Sequence, residues 1–456
     1  MKRILILGAG RSAAFLIHRL LEDAAAEGWF VTVGELDLER ARQVTADHPR
    51  SDAICFDVND AALRSAEIER ADVVVNMLPA AYQDLVAWDC VKHGRHMISV
   101  SYRDQSVRDL HADAKRAGVL LLCEMGLDPG IDHMSGVALI RRIESEHGRI
   151  VGFRSYGSGI PAPEPPANPL GYVMTWDPRN VVMAGFEGAQ YMEEGRVKIV
   201  PFHHVFQHTW PVEVEGLGRL EAYANRDSMS YMRSFGLEHV RTMIRGTLRY
   251  PGWSETWSQM VQLGLPNETL RIDNLGDRTY REVVEMFVPT NVSGTTLQQR
   301  VARYLHINPT GRIMENLLWL GLFSDERIDC VGDTSSAMLQ HLLKIRLPLT
   351  PATRDLVVLL HELDVEWPDE ADRPDETITS TLLVHGEPGG FTAMARTVGL
   401  PVAIAVKRLL AGELPLTGTA IPTHPSIAVP VLDEVRAAGI NFVEKTQPRR
   451  TRRREP

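Results

Sequence analysis

The stretch Ile4-Leu5-Ile6-Leu7-Gly8-Ala9-Gly10-Arg11-Ser12-Ala13 decides the fold. Four consecutive apolar residues, two of them β-branched, read as a strand buried on both faces. The glycine at 8 permits a tight turn, and the glycine at 10 lets a ligand approach the backbone closely. Ala13 stands where a third glycine is usual and is still small enough for a helix to pack closely on a sheet. The next residues, Ala13–Glu22, have helical periodicity, with Ala14, Ile17, Leu20 and Leu21 on one face. Strand, glycine turn and helix in that order present free N–H groups and a positive dipole end to a pyrophosphate. Gly8, Gly10, Arg11, Ser12 and Ala13 are therefore candidate contacts to a nicotinamide dinucleotide.

Working outward, strand-like runs recur at Phe30–Val33, Ala53–Phe56, Val73–Asn76, His96–Val100 and Val119–Cys123, separated by helical patterns such as Leu38–Ala46. Alternation of this kind predicts βαβ units on a parallel sheet, and right-handed crossovers make it doubly wound. The expected fold class is α/β, with a Rossmann-type sheet whose ligand crevice lies at the strand C-termini. Candidate residues follow at those ends. Glu35 and Asp37 stand about 20 residues beyond the glycines, where an acid binds the ribose 2′-hydroxyl of NAD and repels the 2′-phosphate of NADP. On an extended backbone both would point to the same side, so either could serve. Arg40 nearby softens the repulsion, so NAD is the preferred cofactor with NADP also accommodated. Asp57 and Val58 end the third strand beside an adenine ring, and Leu78-Pro79 follow the fourth near the nicotinamide ribose.

The 456-residue chain has room for two or three domains. A formal net charge of −10 argues against nucleic acid or an anionic membrane as partner. No apolar run approaches the roughly 20 residues needed to span a bilayer. The first residues lack a signal peptide's charged-then-apolar layout, and four scattered cysteines without metal-ligand spacing fit buried, reduced thiols. The expected compartment is the cytoplasm. The basic run Arg449–Arg454, without interleaved aromatics, reads as a solvated disordered tail.

Composition changes near residue 150. The run Gly159-Ile160-Pro161-Ala162-Pro163-Glu164-Pro165-Pro166 reads as a functional loop that excludes helix and central strand. Strand character is expected at Val151–Tyr156, Val197–Pro201, Thr209–Val214, Asp355–Leu360 and Thr377–His385. Helix is expected over Thr296–Leu322, Ser335–Ile345 and Phe391–Ala411. Between them, Gly126-Leu127-Asp128-Pro129-Gly130-Ile131-Asp132-His133 gathers acids, a histidine and turn residues where an open α/β sheet places its ligand. Asp132 reads as the N-cap of the helix Met134–Ile143 with His133 in its first turn, leaving Asp128 as the catalytic candidate. His203, His204 and His208 have no carboxylate or cysteine to complete a metal site, so no metal is expected.

The segments "SYRDQSV", "GLDPGIDHMSG", "PAPEPPANPLGYVMTWDPRNVV", "YANRDSMSY", "RGTLRYPGW", "LGLFSDE" and "FTAMARTVGLPVAIA" resemble, in order, motifs of the L-glutamate-forming saccharopine dehydrogenase family, from about residue 3 to residue 445. The resemblance implies a reversible, nicotinamide-dependent oxidation of saccharopine to glutamate and 2-aminoadipate 6-semialdehyde in lysine metabolism. It implies cofactor contacts at Gly10–Ala13, Asp57, Val58, Ser101, Tyr102, Arg103 and Thr175. It implies substrate contacts at Ser101, Tyr102, Asp128, Arg226, Arg245, Gly246 and Thr247. It also implies a dinucleotide-binding domain at 1–130 completed by 388–445, a second mixed-sheet α+β domain at 131–290 and 350–387 that binds substrate and forms a homodimer contact, and a small helical domain at 291–349.

Saccharopine carries three carboxylates, and the planar fork of arginine suits them in a way lysine does not. Arg226 and Arg245 fit that role; the competing reading pairs each with a neighbouring acid such as Asp227. Imine chemistry also needs a positioned proton donor or acceptor, and both Asp128 and Tyr102 qualify. Relatives often carry cysteine where this chain has Gly157, so either that thiol is dispensable to the acid–base chemistry or this chain does something different. NADP-using fungal relatives tend to carry arginine and hydroxyl residues where this chain has Gly34-Glu35-Leu36-Asp37. Two other functions compete: a carboxynorspermidine dehydrogenase-like imine reductase, and a non-catalytic dinucleotide-binding protein.

Overall fold

A computed structural model describes residues 1–449 apart from 165–167, 185 and 371. The segment 450–456, which holds most of the basic run, and Pro165-Pro166 of the proline-rich stretch lie outside the described residues. The chain divides into two compact units. The first comprises Met1–Ile150, Glu366–Asp375 and Leu382–Lys445; the second comprises Val151–Val365, Glu376–Thr381 and the C-terminal residues from Thr446.

The first unit is built on a seven-stranded sheet. Its order is Gly418–Ala420, Leu120–Leu122, His96–Ser99, Val73–Asn76, Lys2–Leu7, Trp29–Glu35 and Ser51–Cys55, and every neighbouring pair is parallel. The first strand sits between the second and fourth, so the strand order reverses beside it, where a doubly wound sheet opens its crevice. Ile4, Leu5, Ile6 and Leu7 are all buried, as the unbroken apolar run predicts. The first helix, Ala14–Glu27, buries Leu16, Ile17, Leu20, Leu21 and Ala24, and Gly28 ends it in the left-handed conformation. The apolar helix Ala393–Leu410 packs on it closely: a Cβ on Gly399 would stand 2.7 Å from the Leu16 backbone nitrogen. The strand Gly418–Ala420, three residues long, carried too little pattern to be read from sequence.

The greater part of a mixed sheet belongs to the second unit. The strands of that sheet run in the order Thr209–Val214, Gly218–Ala224, Thr242–Arg249, Arg149–Pro161, Asp355–Glu366, Glu376–His385 and Val443–Pro448, and a hairpin of Ala189–Glu193 and Arg196–Val200 attaches to Thr242–Arg249. Antiparallel pairs lead from the edge strand Thr209–Val214 to Thr242–Arg249, which then pairs in parallel with Arg149–Pro161. An apolar core of aromatics and helices supports this sheet, with Trp253 and Trp257 stacked at 5.0 Å and 7°.

Three expectations are corrected. The strand expected to stop at Tyr156 continues through Gly159 and Ile160 to Pro161, inside the sheet. Its glycines keep extended backbones, and the one proline is the last residue, where a missing N–H matters least. The helix expected over Thr296–Leu322 is two helices, Leu297–Tyr304 and Arg312–Leu320. Asn308-Pro309-Thr310-Gly311 separates them because its proline cannot continue the first. Cys90 and Cys123 are buried, and burial pushes both thiols far above their ordinary range; Cys55 is exposed, contrary to expectation.

Candidate functional site

Within the first unit the glycine turn has the form its sequence demands. Gly8 adopts φ +98°, and a Cβ there would stand 3.1 Å from the Met77 carbonyl oxygen. Beside Gly10 there is open space, so its backbone is free to be approached. The turn closes through the Ala13 N–H donating to the Gly10 carbonyl, and Ala13 is fully buried while Arg11 is exposed and Ser12 half-buried. The two acids after the second strand have different tasks, which corrects the expectation that either could serve. Asp37 caps the helix Leu38–Thr45, accepting from the N–H groups of Glu39 and Arg40. Glu35 ends the strand, and its carboxylate accepts from the Ala9 N–H at 2.8 Å and from the Leu36 N–H at 3.0 Å.

Further strand ends complete this edge. Asp57 is exposed and accepts from Asn59, while Val58 is buried and its carbonyl accepts from the buried Arg64, itself paired with Asp89. After the fourth strand Leu78 is half-buried and Pro79 exposed. Asn76 is fully buried, its Oδ1 accepts from the Leu78 N–H, and its Nδ2 meets no described partner. A buried amide donor left open at a strand C-terminus, the open space at Gly10 and the bent first turn together fit a bound dinucleotide.

Ser101, Tyr102 and Arg103 follow the fifth strand and are all half-buried. The Ser101 carbonyl accepts from the Glu124 N–H at 3.0 Å, and the Tyr102 carbonyl accepts from Gln83 at 2.7 Å. Asp128, half-buried, lies on the turn Gly126–Gly130, where the Asp128–Pro129 peptide is cis. Gly130 is obligatory: with φ +149°, a Cβ would fall 2.0 Å from the Gly126 carbonyl oxygen. The helix that follows begins at Ile131 with Gly130 as its cap residue, so Asp132 is not the N-cap the sequence suggested. Its carboxylate instead accepts from the Gly130 N–H and lies 3.0 Å from His133 Nδ1. On the other side His133 Nε2 is 2.8 Å from Glu124. All three side chains are buried. Burial alone would lower the His133 pKa, but the carboxylates of Asp132 and then Glu124 outweigh it and raise it to about 9. Sequence reasoning passed over Glu124. Its signal was a carboxylate directly after the all-apolar run Val119–Cys123, at a strand C-terminus.

The second unit carries the remaining candidates. Arg245, Gly246 and Thr247 lie on the strand Thr242–Arg249. Arg245 is buried, with its guanidinium 4.4 Å from the centre of the Tyr231 ring and its N–H donating to Ser228. Gly246 leaves room for Tyr156, which a Cβ would meet at 2.8 Å. Thr247 is half-buried and hydrogen-bonds Tyr223. Arg226 follows the neighbouring strand in the left-handed conformation, φ +50°, and is 48% exposed. Its ion-pair partner is Glu187 at 2.9 Å, whereas Asp227, the neighbour suspected from sequence, receives the N–H groups of Met229 and Ser230. The Asn225 N–H donates to the Arg245 carbonyl, so the residue before Arg226 is a backbone neighbour of Arg245. Thr175 is fully buried, and its hydroxyl has no described partner. Among the described residues no cluster has the make-up of a metal site.

Two family models cover the chain: the saccharopine dehydrogenase NADP binding domain matches residues 4–122, and the saccharopine dehydrogenase C-terminal domain matches residues 126–440. The chain belongs to the saccharopine dehydrogenase family. It is 32% identical to saccharopine dehydrogenase [NADP(+), L-glutamate-forming] of Saccharomyces cerevisiae, covering 98% of this chain and 99% of that one. It is 31% identical to the Pyricularia oryzae protein of the same description, covering 97% and 99%. The mitochondrial alpha-aminoadipic semialdehyde synthase of Bos taurus is 31% identical over 98% of this chain, which spans 48% of that longer protein. Among solved structures, apo saccharopine dehydrogenase (L-Glu forming) from Saccharomyces cerevisiae superposes with a TM-score of 0.84 at 30% identity, covering 98% of this chain and all of that one. Members of the family are oxidoreductases that act on CH–NH donors, and the NADP binding domain match supports a dinucleotide cofactor for this chain. No helix among the described residues is long and apolar enough to cross a membrane.

Proposed function

We propose that this protein oxidises saccharopine with a nicotinamide dinucleotide, releasing L-glutamate and 2-aminoadipate 6-semialdehyde, and catalyses the reverse condensation. The observation that carries the reading is that likeness to glutamate-forming saccharopine dehydrogenases extends over nearly the whole of both chains. The bound nicotinamide supplies a hydride acceptor. The protein's own groups do the rest. The glycine turn and Asn76 hold the cofactor, and Arg226 and Arg245 take carboxylates of the substrate. Water then cleaves the imine carbon–nitrogen bond, a step that needs a proton delivered to nitrogen and one removed from oxygen. Asp128 and Tyr102 are proposed for that work. Gly157 offers no side chain, so no thiol takes part from that position.

For the cofactor we propose NAD ahead of NADP. The family model and the fungal relatives are named for NADP. In this chain, however, the Glu35 carboxylate stands at the end of the second strand, against the glycine turn. An acid there suits a ribose 2′-hydroxyl and repels a 2′-phosphate.

The test follows nicotinamide absorbance with saccharopine as the only substrate, and assays glutamate as product. Turnover that yields stoichiometric glutamate supports the reading. Failure with both NAD and NADP, with carboxynorspermidine processed instead, would replace it by the polyamine-type imine reductase.

A further inference from the structure

We infer that Glu124, His133 and Asp132 form a buried ionic clamp that fixes Tyr102 and Asp128 relative to each other, acting as positioning residues for the proposed reaction. The clamp rests on the reading of Tyr102 and Asp128 as the proton-transfer groups. Its geometry is a chain with a backbone N–H at each end. Arg103 N–H donates to one Glu124 oxygen at 2.9 Å. The other Glu124 oxygen is 2.8 Å from His133 Nε2, and His133 Nδ1 is 3.0 Å from Asp132. The second Asp132 oxygen accepts from the Gly130 N–H at 2.6 Å. Arg103 directly follows Tyr102, and Gly130 lies two residues after Asp128.

Three features argue that the clamp does more than fill the core. Glu124, Asp132 and His133 are 2%, 3% and 0% exposed, so two carboxylates and one ring are withheld from water, at a cost a neutral core would avoid. Glu124 has φ +62°, a left-handed backbone that is costly for a side-chain-bearing residue and tolerated where surroundings impose it. The segments it joins are already linked by the Glu124 N–H donating to the Ser101 carbonyl, and the clamp extends that link to the turn that carries Asp128. The Gly126 N–H donates to the Pro129 carbonyl within its own turn, and the Tyr102 carbonyl is held by Gln83. Proton transfer depends on placement, and a displacement of about 1 Å costs on the order of 100-fold in rate. The raised pKa of His133 is consistent with this picture, because a protonated ring is an ion-pair partner to both acids, 2.8 Å from Glu124 and 3.0 Å from Asp132.

The experiment uses the full chain with saccharopine and NAD. Glu124→Gln and Asp132→Asn keep shape and an acceptor oxygen but lose charge, and His133→Gln leaves two uncompensated acids. For each variant, kcat, KM, thermal midpoint and the dissociation constant of NADH, read by fluorescence, are measured. The expected result is a fall in kcat of about tenfold or more, with NADH affinity within about threefold because the glycine turn is untouched. The double variant His133→Gln with Asp132→Asn removes one buried charge, so its thermal midpoint should recover while kcat stays low. If His133→Gln does not fold, Glu124→Gln and Asp132→Asn carry the test. Folded Glu124→Gln and Asp132→Asn proteins with kcat within about twofold of the parent would overturn the clamp. So would kcat losses that track NADH affinity or recover with the thermal midpoint. Asp128→Ala and Tyr102→Phe run alongside: if neither lowers kcat, the proton-transfer reading fails and the clamp with it, whereas losses there with intact clamp variants overturn the clamp alone.

Discussion

The carboxylate of Glu35 accepts a hydrogen bond from the backbone N–H of Ala9, 2.8 Å away, tying the end of the second strand to the glycine turn between Gly8 and Gly10. One oxygen of a group suited to ribose is thus committed to shaping the loop suited to pyrophosphate. Glu35→Ser should therefore weaken NAD binding by loosening the turn while relieving the repulsion of a 2′-phosphate, so the ratio of kcat/KM for NAD over NADP falls by about tenfold. Asp37→Ser should leave the ratio unchanged, because serine caps a helix as well as aspartate does. A parent enzyme with higher kcat/KM for NADP would show the assignment to be wrong.

Arg226 is 48% exposed and its pair with the exposed Glu187 is screened by water, so its removal should cost little stability. Arg226→Ala should keep the thermal midpoint within about 2 °C and raise the KM for saccharopine by about 10- to 100-fold, the cost of a lost charge-assisted pair. Arg226→Lys should recover little of it if the contact is bidentate. Unchanged steady-state kinetics in a folded Arg226→Ala protein would return the residue to pairing with Glu187.

Asp128→Ala should lower kcat by about 10²–10⁴-fold if that carboxylate moves the proton. The pH–rate profile decides between the two candidates. An ionisation that persists on the same limb in Asp128→Ala points to Tyr102.

Gly130 meets its own turn so closely that no side chain fits. Gly130→Ala should depress the thermal midpoint by several degrees and abolish turnover, whereas Gly28→Ala, with no atom within 4 Å of its added Cβ, should cost only about 1 kcal/mol of left-handed strain. Calorimetry on the two variants checks the contrast. Equal effects would mean that the turn reshapes.

His133 links stability to pH. Its folded pKa, about 9, lies above the ordinary imidazole value of about 6.5, so the folded form holds the proton more tightly than the unfolded form does. The stabilisation, on the order of 3 kcal/mol, is complete below about pH 6.5 and disappears as pH rises through about 9. The gap in thermal midpoint between the parent and His133→Gln should therefore shrink steadily from pH 6.5 to 9.5. A constant gap would mean that the ring stays neutral in the fold.

The parallel sheet was legible because its strands are unbroken apolar runs; Val73–Asn76 matches the expectation residue for residue. What was not legible came from partners distant in sequence. Nothing local in Gly418–Ala420 says that it pairs with Leu120–Leu122, and nothing in Asp132 distinguishes a cap from a member of a buried cluster until Glu124 is seen beside His133. Proline misled at 161 because its rule concerns a lost N–H and says nothing about a strand's last residue. The candidate site was legible as a set of strand-end positions. The division of labour between Glu35 and Asp37 was not, since it depends on which carboxylate meets Ala9.

The strand Gly418–Ala420 also sets a timetable. Its partner, Leu120–Leu122, leaves the ribosome roughly 300 residues earlier, and at about 5–20 residues per second the edge of that sheet waits some 15–60 s for closure. During that interval three consecutive leucines form an unpaired parallel edge, a template for pairing with other chains. A nascent chain halted shortly before Gly418 should therefore aggregate or recruit a chaperone, although every residue of the glycine turn has already been made.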